Sequence, residues 1–313
     1  METTQMTGTG EEGLIVAHYG VAVEVLFAAN SERRMIRVKR NSGHVVGDKV
    51  TVKEDVLTRL PRTSEISRMD ARGGSHLVGA NLDILGIVVS CEPLPPPGFI
   101  DRAIVAARKS SIQPILIINK SDLPCFAAYH AAIAPTYQES TNIFVLSAAN
   151  GTGLAALSNF FSEGHRGIFI GPTGVGKSSI LNSLLPDIDL QVGEISESKK
   201  RGRHTTTVST LHYLNGGGEI IDSPGFNDFG LIDVSPAALA AHFPGFEKAG
   251  REGCRFRDCK HKAEPGCAVT SLLHKKEIDE KRYTVYLQIL TETEALPTDS
   301  KYREMRHRRK KNG

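Results

Sequence analysis

The pattern of apolar and polar positions changes character twice along the chain. Between residues 14 and 60 short runs dominate: LIVAHY, VAVEVLF, MIRVKR and DKVTVKE, broken at Gly20, at Ala29-Asn30 and between Gly43 and Gly47. Such short, β-rich runs at this spacing predict a small antiparallel barrel or sandwich. From about residue 76 the apolar runs become continuous: ILGIVVS at 84–90, PILIINK at 114–120, NIFVLSA at 142–148, GIFIG at 167–171 and EIIDSPG at 219–225. Helix-capable stretches such as IDRAIVAARKS and SSILNSLL separate several of them, which predicts buried parallel strands with crossover helices. CEPLPPPGF at 91–99 reads as a loop. After about residue 231, Ala-rich segments lead into a cysteine cluster, a helix-rich stretch at 271–296 and a basic end.

Composition narrows this picture. At 313 residues and 40% apolar, the chain can bury a real core in two or three domains. No apolar run reaches the roughly 18 residues that span a bilayer. The polar start, METTQMTGTGEEG, lacks the layout of a secretory signal. A cytoplasmic protein with no membrane role is expected. The net charge of +3 is unevenly spread: residues 301–313 carry +6 and the rest −3. That tail, and the N-terminal Arg33, Arg34, Arg37, Lys39, Arg40, Arg59, Arg62 and Arg68, are either solvated or suited to nucleic-acid phosphates. Of five cysteines, Cys91 and Cys125 stand alone, whereas Cys254, Cys259 and Cys267 cluster.

The first chemistry-bearing motif is GPTGVGKS at 171–178, which fits G-x-x-x-x-G-K-[ST] between an apolar run and a helix-like one. Gly171, Gly174 and Gly176, with Pro172, Thr173 and Val175, would cradle phosphates through backbone N–H groups. Lys177 would neutralise the β and γ phosphates, Ser178 would ligate Mg²⁺, and Ser179 lies in the following turn. Downstream, DSPG offers Asp222 for the same Mg²⁺ and the Gly225 N–H for the γ phosphate. Lys177, Asp222 and Gly225 are therefore catalytic candidates.

The base is read elsewhere. NKSD, residues 119–122, ends one apolar run and SAANG, residues 147–151, ends the next. Asp122 can accept from guanine N1–H and the 2-amino group, a pairing that adenine cannot offer. Asn119 would tie the loop together, the Lys120 stem would lie along the base, and SAANG, with Ser147 and Ala148, would bring the Ala148 N–H to guanine O6. The pair points to GTP rather than ATP. Both motifs precede the phosphate loop, the reverse of the usual order, as in a circular permutation.

CRFRDCKHKAEPGC, residues 254–267, reads C-x₄-C-x-H-x₅-C. Cys254, Cys259, His261 and Cys267 can close a tetrahedral site with no open position, which predicts structural zinc. Arg255, Arg257, Lys260 and Lys262 lie between the ligands and should project outward.

The order NKSD, GPTGVGKSS, GRHTTT (202–207), DSPGF and the Cys-rich end resembles the RsgA (YjeQ) family of small-subunit-dependent GTPases over nearly the whole chain. The resemblance implies a multidomain protein: an all-β OB-type barrel at 14–72, a circularly permuted α/β P-loop GTPase domain at 76–230, and a mostly helical zinc-binding domain at 231–300. A flexible start at 1–13 and a basic tail at 301–313 flank them. It also implies GTP hydrolysis to GDP, stimulated by the small (30S) ribosomal subunit during late maturation, with 16S rRNA as partner and the protein a monomer.

Phe226 follows D-x-x-G where Ras-like enzymes carry a water-orienting Gln, so His204 is proposed to help position water. One of Thr205, Thr206 and Thr207 would contact Mg²⁺ and the γ phosphate. Competing readings are a regulatory GTPase switch with a protein partner, and an RNA-binding metal module that has lost hydrolysis.

Overall fold

A computed structural model describes residues 10–40, 42–69, 75–185, 208–223 and 234–295. The N-terminal runs form β1 (Glu11–His18), β2 (Ala22–Phe27), β3 (Arg33–Arg37), β4 (Lys49–Lys53) and β5 (Val56–Arg59), all paired antiparallel. Alternation turns Val23, Val25, Phe27, Ile36, Val50 and Val52 to one side, where with Ile15 they make a separate core. Among the described residues β3 and β5 do not pair, so the ladder curls without closing.

A hairpin of β6 (Glu65–Met69) and β7 (Ser75–Ala80) leads into the central sheet. Its strands are β8 (Ile84–Val89), β9 (Gln113–Ile118), β10 (Asn142–Val145), β11 (Arg166–Ile170), β12 (Ser209–Tyr213) and β13 (Glu219–Asp222). The spatial order is β10-β9-β8-β11-β13-β12, parallel except for β12. Every residue of β8 is buried, as expected for a strand covered on both faces. Helices α1 (Phe99–Lys109), α2 (Phe126–Tyr137), α3 (Leu154–Ser162) and α4 (Lys177–Leu184) connect the strands.

Sequence patterning misses two features. β12 is short and mixed, and it forms because its partners impose extension: β13 on one side and the end of β1 on the other, through Ala17 with Thr210 and His18 with Ser209. The N-terminal and central sheets are thereby one continuous ladder. Helix α2, FAAYHAAIAPTY, carries Pro135 internally and has no single apolar face to announce it.

The C-terminal part contains α5 (Pro236–His242), α6 (Glu247–Glu252), α7 (Ala268–His274) and α8 (Glu280–Ala295) around Leu239, Phe243, Phe246, Leu272 and Tyr286. Val105 of α1 joins this core. Two polar clusters, the first buried and the second partly so, fasten the same interface. Asp101 of α1 pairs with Arg282 of α8 and accepts a hydrogen bond from Tyr137. Arg108 donates to Glu247 at 2.9 Å and to the Ser140 carbonyl at 2.7 Å.

Candidate nucleotide site and metal centre

The loops that follow β9, β10 and β11 meet at one end of the central sheet. After β11 the chain turns through Gly171 to Gly176 into α4. Gly174 and Gly176 adopt positive φ (85° and 96°), and a Cβ on Gly176 would overlap the Asn119 amide nitrogen. Lys177 Nζ donates to the carbonyls of Gly171 (2.7 Å) and Pro172 (3.0 Å), folding its ammonium over the loop.

Asn119, 2% exposed, joins the two distant motifs. Its Nδ2 donates to the Val175 carbonyl at 2.8 Å, across 56 residues of sequence, and its Oδ1 accepts from the Ala148 N–H at 3.1 Å. One side chain thus fixes NKSD, SAANG and the phosphate loop together. Ser147 Oγ donates to Asp122 Oδ1, aiming a carboxylate that is otherwise open to solvent. The Ala148 N–H is engaged by Asn119 here, and Lys120 Nζ donates to the Glu92 carbonyl at 2.7 Å.

Lys120 therefore reaches a neighbour that the motif does not reveal. The loop after β8 passes over the phosphate loop, and a Cβ on Gly174 would stand 3.5 Å from Pro93 Cδ. Cys91 and Cys125, isolated in sequence, are joined by a disulfide bond with Cα atoms 5.9 Å apart. Their separation of 34 residues carries no pairing signal; only the adjacency of β8 and β9 brings them together.

On the other flank, Asp222 ends β13, and Ser209 and Ser223 hydroxyls hydrogen-bond at 3.1 Å beside it. Burial pushes the Asp222 carboxyl up and His212 of β12 partly offsets this; burial likewise lowers His212. The half-buried Asp222 carboxylate and the exposed Ser178 hydroxyl are oxygen donors of the kind Mg²⁺ takes, and its charge would offset the burial of the carboxylate. His204, Thr205, Thr206, Thr207 and Gly225 lie outside the described residues, as do the start at 1–9 and the tail at 301–313.

The C-terminal cysteines sit between α6 and α7. One ligand atom from each of Cys254, Cys259, His261 and Cys267 lies within 4.8 Å of every other. His261 Nδ1 faces Cys254 Sγ at 3.5 Å and Cys267 Sγ at 3.4 Å. Burial lowers the imidazole pKa, keeping it neutral as a ligand must be. Burial among sulfurs pushes the Cys259 thiol up to about 12, so a thiolate there calls for a compensating cation. The Ala268 and Thr270 N–H groups approach Cys254 and Cys267 sulfur at 3.3 and 3.5 Å. The donor set fits a closed zinc site. Its lysines are less free than spacing implies: Lys260 and Lys262 are exposed but both bind Glu294 of α8 at 2.9 Å.

Fold and site together define a P-loop nucleotide-binding protein whose base-reading strands come before its phosphate strand in the chain, with an appended Cys/His centre. The family model described as RsgA GTPase matches residues 59–232, and the chain belongs to that family of P-loop GTP hydrolases. The small ribosomal subunit biogenesis GTPase RsgA of Pseudomonas fluorescens is 39% identical over 306 residues, covering 94% of this chain and 88% of that protein. Its counterpart in Azotobacter vinelandii is 40% identical over 297 residues, covering 90% and 86%. Among solved structures, YjeQ from Thermotoga maritima matches with a TM-score of 0.74 at 27% identity, covering 92% of this chain and 99% of that one. YloQ, a circularly permuted GTPase, shares the fold with a TM-score of 0.65 at 23% identity, covering 94% and 98%.

Proposed function

We propose that this chain binds GTP across the ends of β9, β10 and β11 and hydrolyses it to GDP during maturation of the small (30S) ribosomal subunit. Docking on 16S rRNA stimulates turnover, and the protein acts as a monomer in the cytoplasm. The observation that carries the nucleotide part is Asn119, whose amide bonds both Val175 of the phosphate loop and Ala148 of the second base-reading loop. The ribosomal part is supported by relatives named as small ribosomal subunit biogenesis GTPases.

Asp122 reads the guanine edge, buttressed by Ser147; Asn119 holds the loops, and the Ala148 N–H turns to guanine O6. Lys120 lies along the base. Gly171, Pro172, Thr173, Gly174, Val175, Gly176 and Ser179 form and support the phosphate cradle. Lys177 balances β- and γ-phosphate charge as it builds in the transition state. Ser178 and Asp222 would hold Mg²⁺, which supplies further charge neutralisation when bound with the nucleotide. Gly225 and one of Thr205, Thr206 and Thr207 meet the γ phosphate, and His204 positions water where the family's Ras-like cousins use a Gln.

Zinc at Cys254, Cys259, His261 and Cys267 is structural, and its exposed Arg255 and Arg257 meet RNA phosphates. The division at 14–72, 76–230 and 231–300 is supported by distinct N-terminal and C-terminal cores, with Val16, Val46 and Ile66 packing into a central-sheet core and Val105 of α1 into the C-terminal one.

The test is GTP turnover with and without purified small subunits at two salt concentrations. Stimulation that fades as salt rises is expected. Equal turnover with and without subunits would remove the ribosomal reading while leaving the GTPase intact, and stimulation by a protein fraction alone would favour a protein-partner switch.

A further inference from the structure

We propose that the Cys91–Cys125 disulfide is a reversible redox modification site that sets how tightly the guanine-nucleotide pocket holds its ligand. The bond is placed where a change in chain freedom matters. Cys91 opens the loop after β8, whose Glu92 carbonyl accepts from Lys120 and whose Pro93 lies against Gly174 of the phosphate loop. Cys125 immediately precedes α2, three residues after Asp122. The covalent link therefore ties the segment covering the phosphate loop to the segment that reads the base.

Access is one-sided. Cys91 is 9% exposed, whereas Cys125 is open to solvent. A small dithiol in the surroundings attacks Cys125 Sγ with one thiolate. The protein S–S bond breaks, a mixed disulfide forms at Cys125, and Cys91 Sγ leaves with the electron pair and takes up a proton. The second thiolate of the reagent then attacks its own sulfur in the mixed disulfide and releases Cys125, which is protonated in turn. Two electrons and two protons pass to the protein, and the dithiol becomes a disulfide. A disulfide oxidant reverses the sequence. In a reducing compartment where ribosomes mature, a disulfide of this kind is transient and condition-dependent rather than a permanent staple.

The direction of the effect follows from chain entropy. Closed, the bond restrains both flanks of the pocket before nucleotide arrives; opened, both flanks must be ordered by the ligand, which weakens its hold. The oxidised form thus retains nucleotide longer, slowing exchange.

The proposal rests on the guanine-nucleotide reading above. Its test is the dissociation rate of a fluorescent GDP from the full chain, oxidised and after treatment with a dithiol. Alkylation mapped by mass spectrometry reports the state of each thiol. Reduction should expose Cys91 and Cys125 to alkylation and raise the dissociation rate roughly three- to tenfold. The double variant Cys91→Ser with Cys125→Ser should show the fast rate in both conditions, with an unchanged melting temperature relative to the reduced parent. Equal rates in the two redox states, or a dithiol effect that survives in the double variant, would overturn the proposal. Failure to bind GDP in either state would instead sink the pocket reading, and this proposal with it.

Discussion

The metal centre and the nucleotide pocket are built on opposite plans. The metal centre is local: four donors within residues 254–267, set between two short helices. Its surroundings finish it, since Glu264 accepts from the Lys260, Lys262 and Ala263 N–H groups, and Tyr283 and Tyr286 donate to the carbonyls of His261, Lys262 and Lys260. The proposed nucleotide site draws on groups from residues 119 to 222 at separate strand ends, and Asn119 links the loops after β9, β10 and β11. A local site of mostly buried thiols would tie its own unit's folding to a bound ion. A dispersed site on a packed sheet exists before its ligand and stays open for exchange.

The sharpest break between the two plans is metal removal. Apparent zinc binding in small modules is worth about 10–16 kcal/mol. Stripping the metal with a strong chelator, or Cys259→Ser, should therefore unfold the C-terminal unit, seen as a lost or lowered melting transition. GTP affinity, measured by titration, should move less than about threefold because the pocket's bonds lie within the central sheet. If affinity falls in step with metal content, the two plans are not independent.

The complementary break is Lys177→Ala. Removing one preorganised charge from a phosphoryl-transfer site costs about 10²–10³ in turnover. The melting temperature and metal content should hold, because the bonds that Lys177 donates to the Gly171 and Pro172 carbonyls stay within the phosphate loop. Steady-state hydrolysis beside a thermal melt checks both.

Between the two sites runs the interface on α1, and Asp101→Asn tests it. Asp101 is 2% exposed and balances Arg282, whose guanidinium also lies over Phe243 at 4.4 Å. Leaving that buried cation without its partner should cost about 3 kcal/mol in a denaturant titration. Metal stoichiometry should survive, and a loss of metal in this variant would show that the knuckle depends on its docking.

What sequence revealed follows the same division. Cys254, Cys259, His261 and Cys267 were readable because ligand geometry constrains spacing within a single loop. NKSD, SAANG and GPTGVGKS were readable because each must sit at a strand's end, and continuous apolar runs mark such strands. The junctions were not. Cys91 meets Cys125, Lys120 meets Glu92, and β1 meets β12 only through tertiary adjacency, for which no local period exists. Likewise, the spacing that exposed Lys260 and Lys262 gave no hint that α8 would return with Glu294 to bind both.

The smallest expected effect concerns Glu247, at the same interface. Burial alone would raise its pKa, but its backbone contact, the Ser140 hydroxyl and Arg108 together hold it below the ordinary 4.5. A carboxylate depressed in the folded state contributes stability above its unfolded pKa and loses it as pH falls through the folded one. Docking of the C-terminal unit should therefore be constant near neutrality and weaken below about pH 4.5, by under about 1 kcal/mol given the partial exposure of both side chains. Glu247→Gln removes that slope. Acid also protonates the metal ligands, so the readable quantity is the stability difference between parent and Glu247→Gln across pH, in which ligand loss is common to both. That difference should be steady at neutral pH and shrink on acidification; a difference independent of pH would assign the contact to packing rather than charge.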